Sequence, residues 1–447
     1  MTMTDQNENG RWPLPEGWEY ARLRDVAEIN YGKGLTVSQR DETGSVPVYG
    51  SSGVVGFHTE SIAPGPSLII GRKGAAGAVH YSPVDSWPID TAYYLRFPEQ
   101  VSTKYAYYAL QTLELSSLDR STAIPSLSRD DLYAQAIPLA PLPTQHLIVA
   151  EIEKQFTRLD AAVAALRRAK ANLARYKAAV LKAAVEGRLV AQDPDDEPAG
   201  VLLERILAER RAQWQAANPK KKYVEPKGPD VAGLGELPVG WVWATVEQIT
   251  SLIQYGHTTS AVYEPVGPKF LRITDIQDGF VDWDAVPWCH CTQEEYEKYR
   301  VSSGDIVFAR TGATTGKSYL IKDCPNTVFA SYLIRLQLTK PFDQRYLAYY
   351  FDSPFYWSRI TSEQKGSAQP GVNATILSTL EVPVPPLAEQ SRIVNEVERC
   401  LSVIHASDQI IDANLARAER LRQGVLGRAF RGELVGQLSS TDNALLK

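Results

Sequence analysis

Three short stretches of this chain hold residues whose types and spacing suggest chemistry. Thr311–Ser318, TGATTGKS, approaches the phosphate-binding pattern G-x-x-x-x-G-K-[ST]. Gly316, Lys317 and Ser318 fit, but Thr311 stands where the first glycine is required. The matching stretch in the first half, RKGAAGAVH from Arg72, has no Lys-Ser at all. A phosphate cradle needs its loop amides and its lysine together, so an ATP-using DNA enzyme built on a degenerate P-loop is carried only as an alternative. The second stretch is Cys289-His290-Cys291. No second ligand pair follows at zinc-site spacing, Cys324 is distant, and the first half has no equivalent, so no metal is expected. The third is the glycine-rich turn itself, which recurs beside Arg72 and Arg310. Backbone without a Cβ suits close approach to a DNA phosphate, and equally a tight turn between strands. The chain shows neither N-P-P-[YF] nor the glycine-rich cofactor loop of an adenine methyltransferase. The six histidines (58, 80, 146, 257, 290 and 405) make no triad-like motif, so no catalytic residue is expected.

Under the DNA-reading role that the family resemblance described below implies, candidate contacts follow from residue type. Reading DNA sequence requires side chains at base edges, chiefly Arg or Lys to guanine and Asn or Gln to adenine, while Lys, Ser, Thr and backbone amides hold phosphates. In the first half the candidates are Tyr31, Lys33, Ser51, Ser52, Arg72, Lys73 and Gly74. The loop Arg120–Ser128 adds Arg120, Ser121, Thr122 and Ser126. In the second half they are Tyr255, His257, Arg310, Thr311, Gly312 and Lys317. The loop Lys365–Asn373 adds Lys365, Ser367, Gln369 and Asn373. Gln369 is the preferred base reader, because an amide can contact adenine through two hydrogen bonds. Lys and Arg number 47 against 52 Asp and Glu, a net charge of −5 over 447 residues. That balance carries no global nucleic-acid signature, so DNA contact must come from local patches or be shared with a partner.

The elements that hold these residues are written twice. LPEGWEYARLRDVAEINYG (Leu14–Gly32) returns as LPVGWVWATVEQITSLIQYG (Leu237–Gly256), and IIGRKGAAG (Ile69–Gly77) as VFARTGATTG (Val307–Gly316). From Pro125/Pro370 to Val190/Val435 the two copies keep one offset of 245 residues without a gap. A period that long marks duplication of a whole module, not a solenoid, and implies internal pseudo-two-fold symmetry. Each module opens with Gly, Pro, Tyr and short β-branched runs, then turns abruptly to Ala, Leu, Arg, Lys and Glu. In that second part apolar or small residues recur by threes and fours at Ile152, Phe156, Leu159, Val163, Leu166, Leu173, Val180 and Ala184. The second copy has Val397, Leu401, Ile404, Ile411, Leu415, Ala418, Val425 and Ala429 in the same frame. A sustained repeat of this spacing is a coiled-coil seam, interrupted here by Lys170, Lys177, Asp408 and Arg422. The expected architecture is α+β: globular domains over 1–144 and 236–388, separated by long helices over 145–190 and 389–435 that pair antiparallel. A linker with a short amphipathic helix occupies 191–235, its Lys run solvated, and a tail covers 436–447.

At this point the residues carry a resemblance. IVAEIEKQFTRLDAAVAALRRAKANLARYKAAVLKAAVEGRLV (Ile148–Val190) closely resembles the central helical region of the specificity (S) subunits of type I restriction-modification systems. LLERILAERRAQW (Leu202–Trp214), the twice-written LPxGW and PPLAEQSRIV (Pro385–Val394) fit the same family, over nearly the whole chain. One departure is that Glu389-Gln390 of the second copy stands as Thr144-Gln145 in the first, where Thr144 would serve as a helix N-cap. The resemblance implies a non-catalytic DNA reader with two target recognition domains, each reading half of an asymmetric, split site. Half-sites would share one face of the duplex when about one turn, 10–10.5 bp, apart. It further implies two methyltransferase (M) subunits docked on the helical regions, with up to two restriction (R) subunits added for cleavage. S-adenosylmethionine, ATP and Mg would then sit on those partners and no cofactor in this chain. A coiled-coil adaptor without DNA readout is the remaining alternative. Four cysteines without a disulfide framework, a polar N-terminus and no run of 18 apolar residues lead to a cytoplasmic, non-membrane expectation.

Overall fold

The computed structural model of the chain describes residues 12–41, 43–119, 124–277, 279–312, 314–364 and 371–434, the side chains of 362–364 excepted. The first module runs β1 (Glu19–Arg22), α1 (Leu23–Val26), β2 (Glu28–Tyr31), β3 (Val46–Gly50), β4 (Gly53–His58), β5 (Ser67–Gly71) and β6 (Val79–Ser82). It continues through β7 (Trp87–Pro88), β8 (Ala92–Arg96), α2 (Thr103–Leu110), α3 (Arg129–Ala134) and β9 (Ala136–Leu139) to the long α4 (Leu142–Val185). The second module opens with α5 (Ala199–Ala217), β10 (Val242–Thr245), α6 (Val246–Ile249) and β11 (Thr250–Tyr255). Then come β12 (Lys269–Leu271), β13 (Ile276–Gln277), β14 (Phe280–Val281), α7 (Gln293–Tyr299), β15 (Ile306–Ala309), β16 (Ser318–Leu320), β17 (Thr327–Phe329) and β18 (Leu333–Leu338). It closes with α8 (Gln344–Asp352), α9 (Pro354–Gln364), α10 (Ala374–Thr379), β19 (Glu381–Val384) and the long α11 (Leu387–Phe430).

The fold is α+β, and the repeat survives in most strands, although among the described residues β4 of the first module and the β13–β14 hairpin of the second have no counterpart. An antiparallel sheet of order β2-β8-β5-β6 in the first module answers one of order β11-β18-β15-β16 in the second. The pair β1–β9 answers β10–β19, and the parallel pair β3–β7 answers β12–β17. The central strands explain why these segments are sheets. Ser67–Gly71 (SLIIG) and Ile306–Ala309 (IVFA) are buried at every position, as continuous apolar runs must be when both faces of a strand are covered.

By compactness the chain divides into residues 1–168 with 411–447, and residues 169–410, so each long helix contributes to both units. In the first unit Ile148, Val149, Ile152 and Phe156 of α4 share a core with Leu426, Ala429 and Phe430 of α11 and with Tyr105 of α2. Arg422 faces Asp160 as an ion pair and covers the Phe156 ring at 4.2 Å. In the second unit Val180, Leu181, Ala184 and Val185 share a core with Ile393, Val394, Val397, Trp241 and the α5 residues Ala199, Leu202 and Ile206. There Lys170 faces Asp408 at 3.7 Å and the Tyr176 hydroxyl lies 3.7 Å from Cys400 Sγ. Partner numbers fall as residue numbers rise, which is antiparallel pairing. Every seam residue named from sequence is buried or half-buried, and three of the four polar interruptions make cross-helix pairs. The short amphipathic helix is thus core of the second unit, while Lys220, Lys221 and Lys222 beyond it are exposed.

The twice-written motifs are the joints. Gln145 and Gln390 are both buried. Gln145 accepts from the Ser102 amide at the start of α2 and donates to the Ala140 carbonyl. Gln390 accepts from the Asp343 amide at the start of α8 and donates to the Pro385 carbonyl. Tyr105 and Tyr346 donate to the carbonyls of Pro138 and Pro383. Past the long helices, Gly187 lies against Pro238 and Gly432 against Pro15, so closely that a Cβ would stand 2.4 and 2.2 Å from the proline Cγ. The prolines of LPxGW are therefore seats for the helix ends. Thr144 is a correction: α4 starts at Leu142, with the Gln145 amide bonded to the Pro141 carbonyl, so Thr144 lies inside the first turn and not at the cap. Its counterpart Glu389 does different work, accepting from Trp241 Nε1 at 2.9 Å in a buried pair.

Burial raises the Glu389 carboxyl above its ordinary 4.5, opposed by the Trp241 bond and Arg392. A carboxyl raised on folding favours its protonated form, so folding gains stability as pH falls toward the raised value and loses it as pH climbs from the unfolded value through the folded one. Glu389→Gln, which still offers Trp241 an acceptor, is expected to raise the thermal unfolding midpoint at pH 7 and to flatten its change between pH 4.5 and 7. A midpoint lowered equally at both pH values would show that the ionised carboxylate stabilises the fold.

Candidate nucleic-acid interface

The glycine-rich turn is a β-hairpin in both modules. In the first it joins β5 to β6, closed by the Gly71 amide on the Ala78 carbonyl and the Gly77 amide on the Gly71 carbonyl. In the second it joins β15 to β16, closed by the Ala309 amide on the Lys317 carbonyl and the Gly316 amide on the Ala309 carbonyl. Lys317 and Ser318 lead into a strand, whereas a phosphate-binding loop opens a helix whose N-terminus faces the phosphates. The Thr311–Ser318 match is therefore a turn sequence. Gly74 and Gly312 hold the tightest points at φ +81° and +83°, a region that costs a residue with a Cβ about 1–2 kcal/mol.

Behind each turn sits an arginine, and both arginines make the same arrangement. The Arg72 carbonyl accepts from the Leu127 amide, and the Arg310 carbonyl from the Val372 amide. Lys73 pairs with Ser126 and Thr311 with Gly371 as isolated bridges. The Arg72 guanidinium lies over the Tyr31 ring at 5.3 Å, and that of Arg310 over the Tyr255 ring at 4.9 Å. In each unit, then, the end of one strand (β2 or β11), a hairpin and the downstream loop meet around an exposed tyrosine ring. Gly32 and Gly256, just past those tyrosines, permit it: a Cβ at either would stand 2.1 or 2.2 Å from the carbonyl oxygen of Ile89 or Ala330.

The first unit forms an open cleft of about 570 Å³ lined by Tyr31, Arg72, Lys73, Ser126 and Tyr93, together with Ser128 and Arg129. Arg129 was not expected from sequence. Its guanidinium lies over Tyr31 at 4.9 Å, so two arginines crowd one ring. Arg72 Nη1 is also tied to the Asp90 carbonyl at 2.8 Å, while Lys73 is exposed. Burial and the neighbouring Tyr31 raise the Tyr93 hydroxyl to about 12, and it donates to the Leu127 carbonyl. In the second unit Ala374 stands where Arg129 does in the 245-residue frame. Its amide donates to the Tyr255 hydroxyl at 2.9 Å. The two sites share a scaffold and differ in their cations.

The other expected residues divide. Ser51 borders the first turn, its Oγ 3.5 Å from where a Gly74 Cβ would stand. Ser52 is exposed beyond β3, and Lys33 is exposed with its Nζ 5.8 Å from the Trp87 ring, outside the cleft lining. Lys317 is exposed at the foot of the second hairpin. Two of the expected residues are engaged within the protein itself. His257 is 8% exposed and stacked on Tyr299 at 5.0 Å. The Asn373 side chain accepts from the Ile376 amide as the N-cap of α10, just as Ser128 caps α3. Arg120, Ser121, Thr122, Lys365, Ser367 and Gln369 lie outside the described residues. The group His257, Cys291 and Glu295, with ligand atoms within 4.8 Å of one another, was not visible in the spacing of Cys289-His290-Cys291.

The type I restriction modification DNA specificity domain family matches residues 15–167 and 255–412, and the chain belongs to that family. The chain is 24% identical to the EcoKI specificity subunit of Escherichia coli K12 over 72% of its own length and 63% of that subunit's. It is 24% identical to the EcoBI specificity subunit of Escherichia coli over 97% and 90%. The chain thus spans just under two thirds of the EcoKI subunit. A solved chain from work on complex assembly and conformational transition of a type I R-M system shares the fold. Its TM-score is 0.65 at 19% identity, over 95% of this chain and all of that one.

If the hairpins need glycine only for their backbone conformation, Gly312→Ala, which meets no atom within 4 Å, should lower unfolding stability by about 1–2 kcal/mol. Gly74→Ala should cost the same. Denaturant titration checks both, and an unchanged midpoint would remove the strain argument.

Proposed function

We propose that this chain is the DNA-reading subunit of a type I restriction-modification complex, each globular domain reading one half of an asymmetric bipartite site. The paired helices set the spacing between half-sites and dock two methyltransferase subunits. Restriction subunits join for cleavage, and S-adenosylmethionine, ATP and Mg act on those partners. One observation supports this reading above the rest: an arginine held over a tyrosine between a hairpin and the same downstream loop, once in each unit, with unlike neighbours at Arg129 and Ala374. A common frame with changed cations is what two readers of different half-sites require. Soluble action in the cytoplasm fits, and no described helix is long and apolar enough to cross a membrane. The net charge of −5 supports sharing of the phosphate contact with the partners.

Exchange of residues 1–141 for the equivalent domain of a relative, with the long helices untouched, is expected to change one half of the methylated sequence only. Mapping methylated adenines in DNA from cells expressing the chain with its methyltransferase reads this directly. A swap that alters both halves, or methylation of all duplexes alike, would overturn the reading. In the same complex, Arg72→Ala and Arg310→Ala should each weaken specific binding by about 1–3 kcal/mol at fixed salt, measured by fluorescence anisotropy. Unchanged affinity in both would move the contact away from the arginine stacks.

A further inference from the structure

The second unit carries a group that has no counterpart among the described residues of the first. Between the tyrosine and its arginine the second module has 54 residues, Tyr255 to Arg310, where the first has 40, Tyr31 to Arg72. Within this stretch Leu271, Val281, Val286 and Val301 join one buried cluster, while Phe270 and Cys289 pack with Val328 and Ala330 in a smaller one, against which Cys291, Tyr296 and Tyr299 are partly buried.

At its edge three side chains from two segments converge. His257 follows β11, Cys291 precedes α7, and Glu295 lies in the first turn of α7. Their ligand atoms lie within 4.8 Å of one another. The His257 ring is buried and oriented by its stack on Tyr299. Glu295 is held by the capping box of α7. Thr292 donates its amide and its hydroxyl to Oε2, both at 2.9 Å, and neither bond uses Oε1. Cys291 is a free thiol, half-buried.

We propose that His257, Cys291 and Glu295 form a binding site for a borderline-soft divalent metal, zinc first among them. One imidazole nitrogen, one thiolate and one carboxylate oxygen are zinc's own donor classes, whereas magnesium and calcium take oxygen ligands. Bonds of about 2.0–2.3 Å would draw the three atoms together by roughly 1 Å, and a water completes a tetrahedron. Binding displaces the Cys291 thiol proton to solvent, with no change of oxidation state. The ion would pin the added segment to the backbone two residues beyond Tyr255, and so steady the second recognition site without touching DNA.

The full-length chain, stripped by chelator, is titrated with zinc alone against a chromophoric chelator and with cobalt(II) alone by absorption. The expected result is one equivalent of metal and a thiolate-to-cobalt charge-transfer band, abolished by Cys291→Ser and kept in Cys324→Ser. His257→Gln and Glu295→Gln should weaken zinc binding by more than about 10-fold, the least that even an outer-shell loss costs. Because glutamine preserves the Thr292 capping bonds, Glu295→Gln should do so with an unchanged far-ultraviolet dichroism spectrum. Failure of the wild-type chain to take up stoichiometric zinc, or a cobalt band that survives Cys291→Ser, overturns the proposal.

Discussion

Each folded unit is closed by a helix end that arrives from the other sequence module. Leu426, Ala429 and Phe430 complete the first core, where the Phe430 ring meets Tyr105 at 5.1 Å. Val180, Leu181, Ala184 and Val185 complete the second around Trp241. Full burial of a large apolar side chain contributes about 1.5–3 kcal/mol, and a domain's whole margin is about 5–15 kcal/mol, so neither core can spare its borrowed residues. Everything else hangs on that exchange. The glycine–proline seats at Gly187/Pro238 and Gly432/Pro15, and the glutamines that tie α2 and α8 to the helix starts, are devices for landing a helix end where its apolar face is needed. The seam's exposed ion pairs, Lys170–Asp408 and Arg422–Asp160, contribute little energy by comparison. Their value is in register, since a shifted pairing would leave those charges on apolar neighbours.

This exchange explains which parts of the molecule were legible in the sequence. A constant 245-residue frame forces the same residue types wherever the same joint is made, so the repeat exposes the seam, the hairpins, the tyrosines and the downstream loop together. It fails where a position has no counterpart. Arg129 stands opposite Ala374, so nothing in the repeat marks it, although the preceding caps Ser128 and Asn373 do align. The stacking of His257 and the capping by Asn373 were likewise hidden, because polar residues beside a loop are indistinguishable in sequence from a stacked histidine or a helix cap. Thr144 was read as a cap from its type alone, while Pro141 and the Gln145 amide start the helix earlier. The metal-ligand group was invisible for a further reason. Its members are separated by 34 residues between His257 and Cys291, and only the fold of the added segment brings them together.

On the proposed reading, the tyrosine beneath each arginine matters more for geometry than for affinity. An exposed cation–π contact contributes only about 0.5–1 kcal/mol. A guanidinium held over a ring, however, has already lost part of the rotamer freedom that binding would otherwise remove. Bidentate contact with a base edge or a phosphate gains from that restriction. The tyrosine is set in turn by backbone, because Gly32 and Gly256 let the strand end pass within contact of a neighbouring carbonyl. The chain of dependence runs from a missing Cβ, to a ring, to a guanidinium.

That dependence also says where specificity can change without unfolding the protein. The carbonyl of each arginine is consumed by the loop, at Leu127 or Val372, so the arginine's backbone position is common to both units. The next aligned position after the cap is free to vary. An arginine there adds a second cation over the ring, whereas an alanine lets the backbone amide bond the tyrosine hydroxyl instead. Either choice satisfies the ring, and neither disturbs α3 or α10, whose caps precede it. A reader built this way can alter its charge and donor pattern at the mouth of the site while the hairpin, the sheet and the borrowed helix end stay fixed.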